Sequence, residues 1–342
     1  MFKIKNRIIN QSNPLFICEV GINHNGSFNE AKKLIDLAHK AGAECIKHQT
    51  HNVDHEMILE AKKTIPGNAK ISIYDIIKKK SLPFSFEIKL KRYVEKKGMI
   101  YLSTPFSKEA AIHLNNIKVP AFKIGSGECN NYPLIEFICK FKKPIILSTG
   151  MNDLKNVSQA VKIIKKNKVP LALLQCTSIY PTPPEKVNLS ILNLYKKKFK
   201  NIEVGYSDHT LGTASIYASI SYGASIIEKH FTDTKKRKGP DIQCSIDYEE
   251  LKNFQEYLKV IKLNKKLVAK KVLKEEIVTA NFAYASVVTV SNIKKGERLS
   301  NKNIWVKRPG TGDFLAKSYK KLLGKKAKQN IKAGVFLNKE HV

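Results

Sequence analysis

Apolar residues in this chain fall into short runs that end on polar clusters, and the stretches between the runs are apolar at every third or fourth position. Eight runs read as strands: Leu15–Asn23, Cys45–His51, Met99–Ser107, Ala121–Glu128, Pro144–Met151, Leu171–Tyr180, Asn201–Thr210 and Ser225–Thr232. The segments after them have helical period, as in Glu30–Ala41, where Ala31, Leu34, Ile35 and Ala38 share one face. Gly42, Gly98 and Gly223 stand where a C-terminal glycine closes a helix. Eight β–α alternations over about 250 residues predict an α/β fold, a (β/α)₈ TIM barrel rather than an open sheet. An open doubly wound sheet would carry a glycine-rich turn after its first strand, and Gly21 and Gly26 are too far apart for that.

The pattern changes after a last helix at about Tyr248–Leu263. A lysine-rich connector follows, and from Phe282 the runs are shorter: Ala285–Val290, a turn at Lys294–Glu297, then Ile304–Gly310. The expected division is a barrel domain over 1–263, a linker over 264–281 and a small, mostly β domain over 282–342. A module of about 60 residues is marginal alone and is expected to pack on a neighbour.

Charge adds less than it first suggests. The formal net charge is +32, yet only five of the basic residues are arginine, and the lysines lie in doublets and triplets along the whole length. Base readout and stacking favour arginine with interleaved aromatics. The excess is read as a solvated lysine-rich surface that draws anionic substrates inward, with no nucleic-acid partner. No apolar run reaches the ~20 residues of a membrane span, and Met1–Lys5 lacks the apolar region of a secretory signal. Six scattered cysteines without a Cys-x-x-Cys pair read as reduced, buried thiols of a cytoplasmic protein. Cys129 and Cys176 are the candidates for a reactive thiol, though a small core filler is the simpler role for both.

Candidate chemistry sits where strands end, the active face of such barrels. Those ends supply Glu19, Lys47 with Gln49, Thr104, Lys123 with Ser126 and Glu128, Ser148, Ser178 with Tyr180, Ser207 with His209, and Glu228 with His230. Side-chain alternation puts His209 and His230 into one cavity and turns Asp208 and Lys229 away. Two imidazoles with a nearby carboxylate and open positions suit one divalent metal such as Mn²⁺ or Mg²⁺, and are too few for a closed zinc site. Interior lysines beside small hydroxyl residues make a phosphate cradle. Each residue alone also has a plain structural role: a strand-end histidine as a hydrogen-bonded residue, a rim serine as the cap of the next helix. Together they point to a metal-assisted reaction of a phosphorylated substrate.

The strings themselves resemble a known family. Glu19-Val20-Gly21-Ile22-Asn23-His24-Asn25-Gly26, Lys47-His48-Gln49-Thr50-His51, Ile65-Pro66-Gly67-Asn68-Ala69, Ser103-Thr104-Pro105-Phe106-Ser107 and Lys123-Ile124-Gly125-Ser126-Gly127-Glu128 are similar to bacterial N-acetylneuraminate (sialic acid) synthases. So are Tyr180-Pro181-Thr182-Pro183, Ser207-Asp208-His209-Thr210, Lys229-His230-Phe231-Thr232 and Gly239-Pro240-Asp241. Trp305-Val306-Lys307-Arg308-Pro309-Gly310 looks like that family's C-terminal antifreeze-like (SAF) domain, so the resemblance spans nearly the whole chain.

The resemblance implies condensation of phosphoenolpyruvate (PEP) with N-acetylmannosamine and water, giving N-acetylneuraminate and phosphate. It implies a metal on His209 and His230, Mn²⁺ foremost with Mg²⁺ or Co²⁺ as alternatives, and Glu128 as the base that steers water. Lys47, Thr104, Lys123, Ser126, Ser148, Ser178 and Ser207 are implied to hold PEP. Glu19, Asn68, Tyr180 and Asp241 are implied to hold the sugar or order its loops. A domain-swapped homodimer is also implied, with Arg308 crossing to the N-acetyl group in the other subunit's site. The string around His48 and His51 and the run Cys129-Asn130-Asn131-Tyr132 look like the neuraminate branch, whereas Ser178 and Lys229 replace residues more frequent there. A legionaminate or other nonulosonate synthase is the alternative. A Schiff-base pyruvate aldolase, which also uses a barrel lysine, is a more distant one.

Overall fold

Eight parallel strands curl into a nearly closed barrel: β1 (Leu15–Gly21), β2 (Cys45–Thr50), β3 (Ile100–Pro105), β4 (Phe122–Ile124), β5 (Ile145–Ser148), β6 (Leu171–Cys176), β7 (Glu203–Asp208) and β8 (Ile226–His230). The sheet runs β3-β2-β1-β8-β7-β6-β5-β4, so strands adjacent in sequence are adjacent in space, as short right-handed crossovers require. This is the TIM-barrel class read from the pattern. A computed structural model describes residues 2–67, 69–264 and 269–342, which fall into two compact units, 1–266 and 267–342. No helix among the described residues is long and apolar enough to cross a membrane.

The outer layer consists of amphipathic helices such as Phe28–Lys40, Leu154–Lys166 and Tyr248–Leu263. Their starts are set by side chains that accept orphan backbone N–H groups: Ser27 from Glu30, Asp153 from Asn156, and Asp247 from Glu250 in a reciprocal capping box. Their inner faces pack on the outward residues of the strands, Phe16, Ile46, Tyr101, Phe122 and Ile227 among them, all buried.

The barrel interior changes character along its axis. Its lower half is apolar, built from Leu15, Ile17, Cys45, Leu102, Ile146, Leu174 and Ile226. Above that level the same alternation brings in Glu19, Lys47, Lys123, Ser148, Ser207 and Glu228. The lower end is sealed by an antiparallel ribbon, Phe2–Ile4 with Arg7–Ile9, whose Phe2, Ile4 and Ile9 join the interior cluster. Each such burial contributes about 1.5–3 kcal/mol. The strand pattern of the sequence did not reveal this ribbon, because two three-residue strands are too short to show alternation.

Two further departures shape the mouth. Between β2 and the helix Phe84–Lys96, residues 51–82 add the short helices Val53–Glu56 and Ile73–Lys80, which hold their own core of Ile22, Val53, Tyr74, Ile76 and Ile77. β4 is also shorter than expected. It stops at Ile124, and a 3₁₀ turn, Ser126–Glu128, takes over.

In the second unit, β9 (Ser286–Thr289) pairs antiparallel with β10 (Ile304–Lys307) over a core of Val287, Ile293, Leu299, Ile304, Leu322, Ile331 and Leu337. Residues 264–281, read as a connector, include most of a helix, Ile277–Ala283, none of whose residues is buried.

Candidate active site

Eleven of the fifteen expected site residues line one cavity of about 150 Å³ at the C-terminal ends of the strands. Glu19, Lys47, Thr104, Lys123 and Ser126 come from β1 to β4 and the turn after β4; Ser148, Ser178, Tyr180, Ser207, His209 and His230 come from β5 to β8 and their loops. Gln49, Cys176 and Glu228 also face this cavity. Gln49 and Glu228 lie on the inward phase of β2 and β8, so alternation alone finds them.

Two lysines and two glutamates make a buried, charge-balanced cluster. Lys47 Nζ lies 2.6 Å from Glu19 Oε2 and 3.8 Å from Glu228 Oε2, and donates to Thr104 Oγ1 at 3.1 Å. Lys123 Nζ lies 3.4 Å from Glu228 Oε1 and donates to Ser148 Oγ at 2.7 Å. Ser207 Oγ donates to the same Glu228 oxygen at 3.0 Å. Burial alone would raise the Glu228 carboxyl, but Lys123 and then Lys47 overcome it and hold the pKa at about 2. Glu19 goes the other way: burial, with repulsion from Glu228, outweighs Lys47 and lifts it to about 7. Burial lowers Lys123 from its ordinary value, whereas Lys47 is raised because its two carboxylates outweigh burial.

The backbone closes in beside these charges. A Cβ added to Gly150 would stand 2.3 Å from Ser178 Oγ, 3.0 Å from Ser126 Oγ and 3.2 Å from Cys176 Sγ. The Gly150 N–H donates to Ser126 Oγ at 3.0 Å. Only glycine fits there, and its close approach packs Ser126, Ser178 and Cys176 together at the cavity wall, where their small polar groups border the space an anion would take.

His209 and His230 are buried with ring centroids 5.5 Å apart. His209 Nδ1 is 3.2 Å from the Thr177 carbonyl, a bond that puts the proton on Nδ1 and the lone pair of the neutral ring on Nε2. His230 Nδ1 is buried with no hydrogen-bond partner among the described residues. Burial, then the neighbouring His209, pushes His230 well below its ordinary value, which keeps it neutral. At His209 burial is outweighed by Cys176, whose sulfur is 3.7 Å from Nδ1, and the pKa rises. Among the described residues no group of three or more histidine, cysteine or acidic side chains is placed to hold a metal ion. Two neutral-capable imidazoles, one held by a backbone carbonyl and one with an orphaned nitrogen, fit an open divalent-metal site whose other positions go to substrate or water.

A second cavity, about 610 Å³, adjoins the first through Gln49, Phe106, Ser178 and Tyr180, which line both. One wall is apolar: Ile22, Met57, Ile73, Ile76 and Ile77. Its polar groups include Glu128, Asp241 and His51. His51 sits between Glu56 Oε2, at 2.8 Å from Nδ1, and Gln49 Oε1, at 3.1 Å from Nε2, and stacks on Phe106. Glu128 Oε2 accepts from Asn131 Nδ2 at 2.5 Å, and burial raises both Glu128 and Asp241. Glu128 therefore faces the outer cavity and does not line the inner one: an odd number of positions separates it from the inward Lys123, and the 3₁₀ turn carries it to the outer side. The outer wall and the His51 linkage were not picked out from the sequence; an apolar helix face such as Ile73, Ile76 and Ile77 carries no sign that it borders a cavity.

Arg308 lies in the second unit, exposed and directly after β10. Its loop is anchored by Ser286 Oγ, which donates to the Pro309 carbonyl at 2.8 Å, and by the Gly310 N–H, which donates to Asn281 at 2.7 Å. Asn68 lies outside the described residues.

Comparison with known proteins bears on the family and the fold. The model of the NeuB family matches residues 34–269, and that of the SAF domain matches 284–342. An uncharacterised protein of Methanocaldococcus jannaschii is 41% identical over 91% of this chain and 89% of its own length. The N,N'-diacetyllegionaminic acid synthase of Campylobacter jejuni is 38% identical over 93% of this chain and 97% of its own. Among solved structures, the N-acetylneuraminic acid (sialic acid) synthetase of Leptospira borgpetersenii superposes with a TM-score of 0.72 at 30% identity, covering 81% of this chain and 94% of that one.

Proposed function

The chain belongs to the NeuB family and carries a SAF domain, and from that premise we propose that it is a metal-dependent nonulosonate synthase. It condenses PEP with the open-chain form of an N-acetylated hexosamine and water, releasing phosphate. The observation that carries this reading is the inner cavity, where two buried lysines and several small hydroxyls stand beside a pair of histidines.

In this reading Lys47, Lys123, Thr104, Ser126, Ser148, Ser178 and Ser207 hold the phosphate and carboxylate of PEP. A divalent metal, Mn²⁺ foremost, would be held by His209 and His230 and would supply Lewis acidity toward the sugar's aldehyde oxygen. C3 of PEP attacks the aldehyde carbon, C2 takes on oxocarbenium character, water adds there, and the tetrahedral intermediate loses phosphate. Glu128, raised by burial, steers that water from the outer side of the shared boundary. Glu228, held ionised between the lysines, stabilises positive charge developing at C2. Glu19, Asn68, Tyr180 and Asp241 order the sugar. Arg308 comes from the SAF domain of a second subunit in a swapped homodimer, its planar fork suited to an acetamido group. The reaction belongs in the cytoplasm, where PEP is available.

The sugar is N-acetylmannosamine in the first reading, giving N-acetylneuraminate. The apolar wall of the outer cavity favours a second, in which a 6-deoxy diacetamido hexose gives a legionaminate-type product. Phosphate release from PEP, measured with N-acetylmannosamine, its 6-phosphate and the diacetamido sugars, separates them by kcat/KM. Loss of activity in chelator, restored by Mn²⁺, is expected. Borohydride trapping of a pyruvate adduct on Lys47 or Lys123, with activity undiminished in chelator, would replace this reading with the aldolase.

A further inference from the structure

Directly behind the two imidazoles, on the outer face of the barrel, lies a fully buried ion pair. Asp208 and Lys229 are opposed in the β7–β8 ladder, with 2.6 Å between carboxylate and ammonium and no solvent exposure of either side chain. Each immediately precedes one of the two histidines, so the pair joins the two strands one residue below His209 and His230.

The pair also grips the backbone beyond His209. Asp208 accepts from the Thr210 N–H at 2.9 Å and from the Thr210 hydroxyl at 3.0 Å, while Lys229 donates to the Thr210 carbonyl at 2.8 Å. Tyr206 donates its hydroxyl to Asp208 at 2.7 Å. The peptide that follows His209 is thus tied at its N–H to one member of the pair and at the next carbonyl to the other. On the remaining sides, the His209 carbonyl accepts from Thr182 N–H at 2.9 Å and the ring reaches the Thr177 carbonyl.

Taking two charges out of water is costly, and apolar side chains of equal volume commonly stabilise as well or better. What they do not supply is a directional bond that fixes one strand end against its neighbour. We propose that the Asp208–Lys229 pair is a positioning device for His209 and His230, setting their separation and aim so that both reach one divalent cation. This rests on the reading of those histidines as the metal-binding pair. Position 229 faces away from the cavity and still acts on it, through the backbone.

Mn²⁺ binding to the full-length protein without substrate, followed by the EPR signal of free Mn²⁺, tests this, with Co²⁺ absorption reporting ligand geometry and thermal melts reporting fold. The doubly neutral variant Asp208→Asn/Lys229→Met is expected to weaken Mn²⁺ binding by about 10–100-fold, as loss of an outer partner of a metal ligand does, and to shift the Co²⁺ bands. Lys229→Arg is expected to keep near-native affinity. Thr210→Val, which removes only the hydroxyl donated to Asp208, is expected to weaken binding several-fold and keeps the test open if the double variant does not fold. A folded double variant, or Thr210→Val, with native Mn²⁺ affinity and Co²⁺ spectrum overturns the positioning role while leaving the metal site standing. If His209→Ala and His230→Ala bind Mn²⁺ as tightly as the native protein, the metal reading falls and this inference falls with it.

Discussion

The two cavities at the barrel mouth are made in different ways. The inner one is built mainly from strand ends, its walls being the inward positions of the strands. The outer one is built mainly from loops and short helices, chiefly the insertion over residues 51–82 and the stretch around Asp241. Ladder hydrogen bonds fix the first to within the register of a sheet, whereas the second can change by insertion without disturbing the barrel. Their contents follow that division. The inner cavity holds paired charges and suits the part of a reaction common to a whole family. The outer, with an apolar wall set against His51, Glu56, Glu128 and Asp241, suits the part that differs between sugars.

The largest expected effect comes from the inner charges. Lys123→Met leaves the Glu228 carboxylate with a single ammonium, that of Lys47 at 3.8 Å, and removes a fully buried donor from Ser148. Steady-state kinetics should show kcat/KM for PEP reduced by about 10³-fold, the scale of losing one preorganised charged or hydrogen-bonding group. The KM for the sugar should hardly move. A loss of less than about tenfold would mean that the inner cavity is not the seat of the anion, and the division between the cavities would fail.

A second test uses acid. His24 lies two residues beyond Ile22 of the outer wall, buried, and its Nδ1 accepts from the Gly26 N–H at 3.1 Å, which only a ring unprotonated at Nδ1 permits. Burial lowers its pKa to about 4, and His48, tilted against it with both ring nitrogens buried and unpartnered among the described residues, is pushed well below its usual value by burial too. At His24 the folded state then binds fewer protons than the unfolded chain between the ordinary value of 6.5 and about 4. The contribution of His24 is complete above that window, declines as pH falls through it and is lost below, to a total of about 3 kcal/mol. Glu19, lifted to about 7, acts in the opposite sense over this range, so the test is the difference: denaturant unfolding from pH 7 to pH 4 should show native stability losing about 3 kcal/mol relative to His24→Gln. Equal slopes would remove His24 from the account.

How far the sequence discloses each cavity follows from the same contrast. Alternation of period two is enough to put Lys47, Lys123, Ser207, His209, Glu228 and His230 on the inward face, because a strand gives each residue a phase. Glu128 shows where that stops. Five residues from the inward Lys123, it would face away from the cavity if the alternation continued; the 3₁₀ turn at Ser126–Glu128 ends the strand first and turns it to the outer cavity. The ribbon that plugs the barrel was hidden for a related reason: each strand is only three residues long, and Lys3 and Arg7 within them leave too little alternation to read. The outer wall was hidden because Ile73, Ile76 and Ile77 look the same in sequence whether they face a core or a ligand.

The smallest expected effect is the one that bears on the sugar. Ile73 and Met57 are the partly buried members of the outer wall and pack against its small core, so a polar change there alters the lining with limited damage to the fold. Met57→Gln and Ile73→Thr each replace apolar surface with a hydrogen-bonding group of similar size. If the wall meets the C6 end of the sugar, either change should move the ratio of kcat/KM for N-acetylmannosamine over its 6-deoxy diacetamido analogue toward the hydroxylated sugar, by about tenfold, the low end of what one small group in an apolar pocket is worth. The KM for PEP should stay within about twofold of native, since neither residue lines the inner cavity. An equal drop for both sugars would mean that the wall only supports the loop. A change in PEP affinity instead would show that the two cavities do not divide their work, and that the loop insertion reaches the chemistry as well as the choice of sugar.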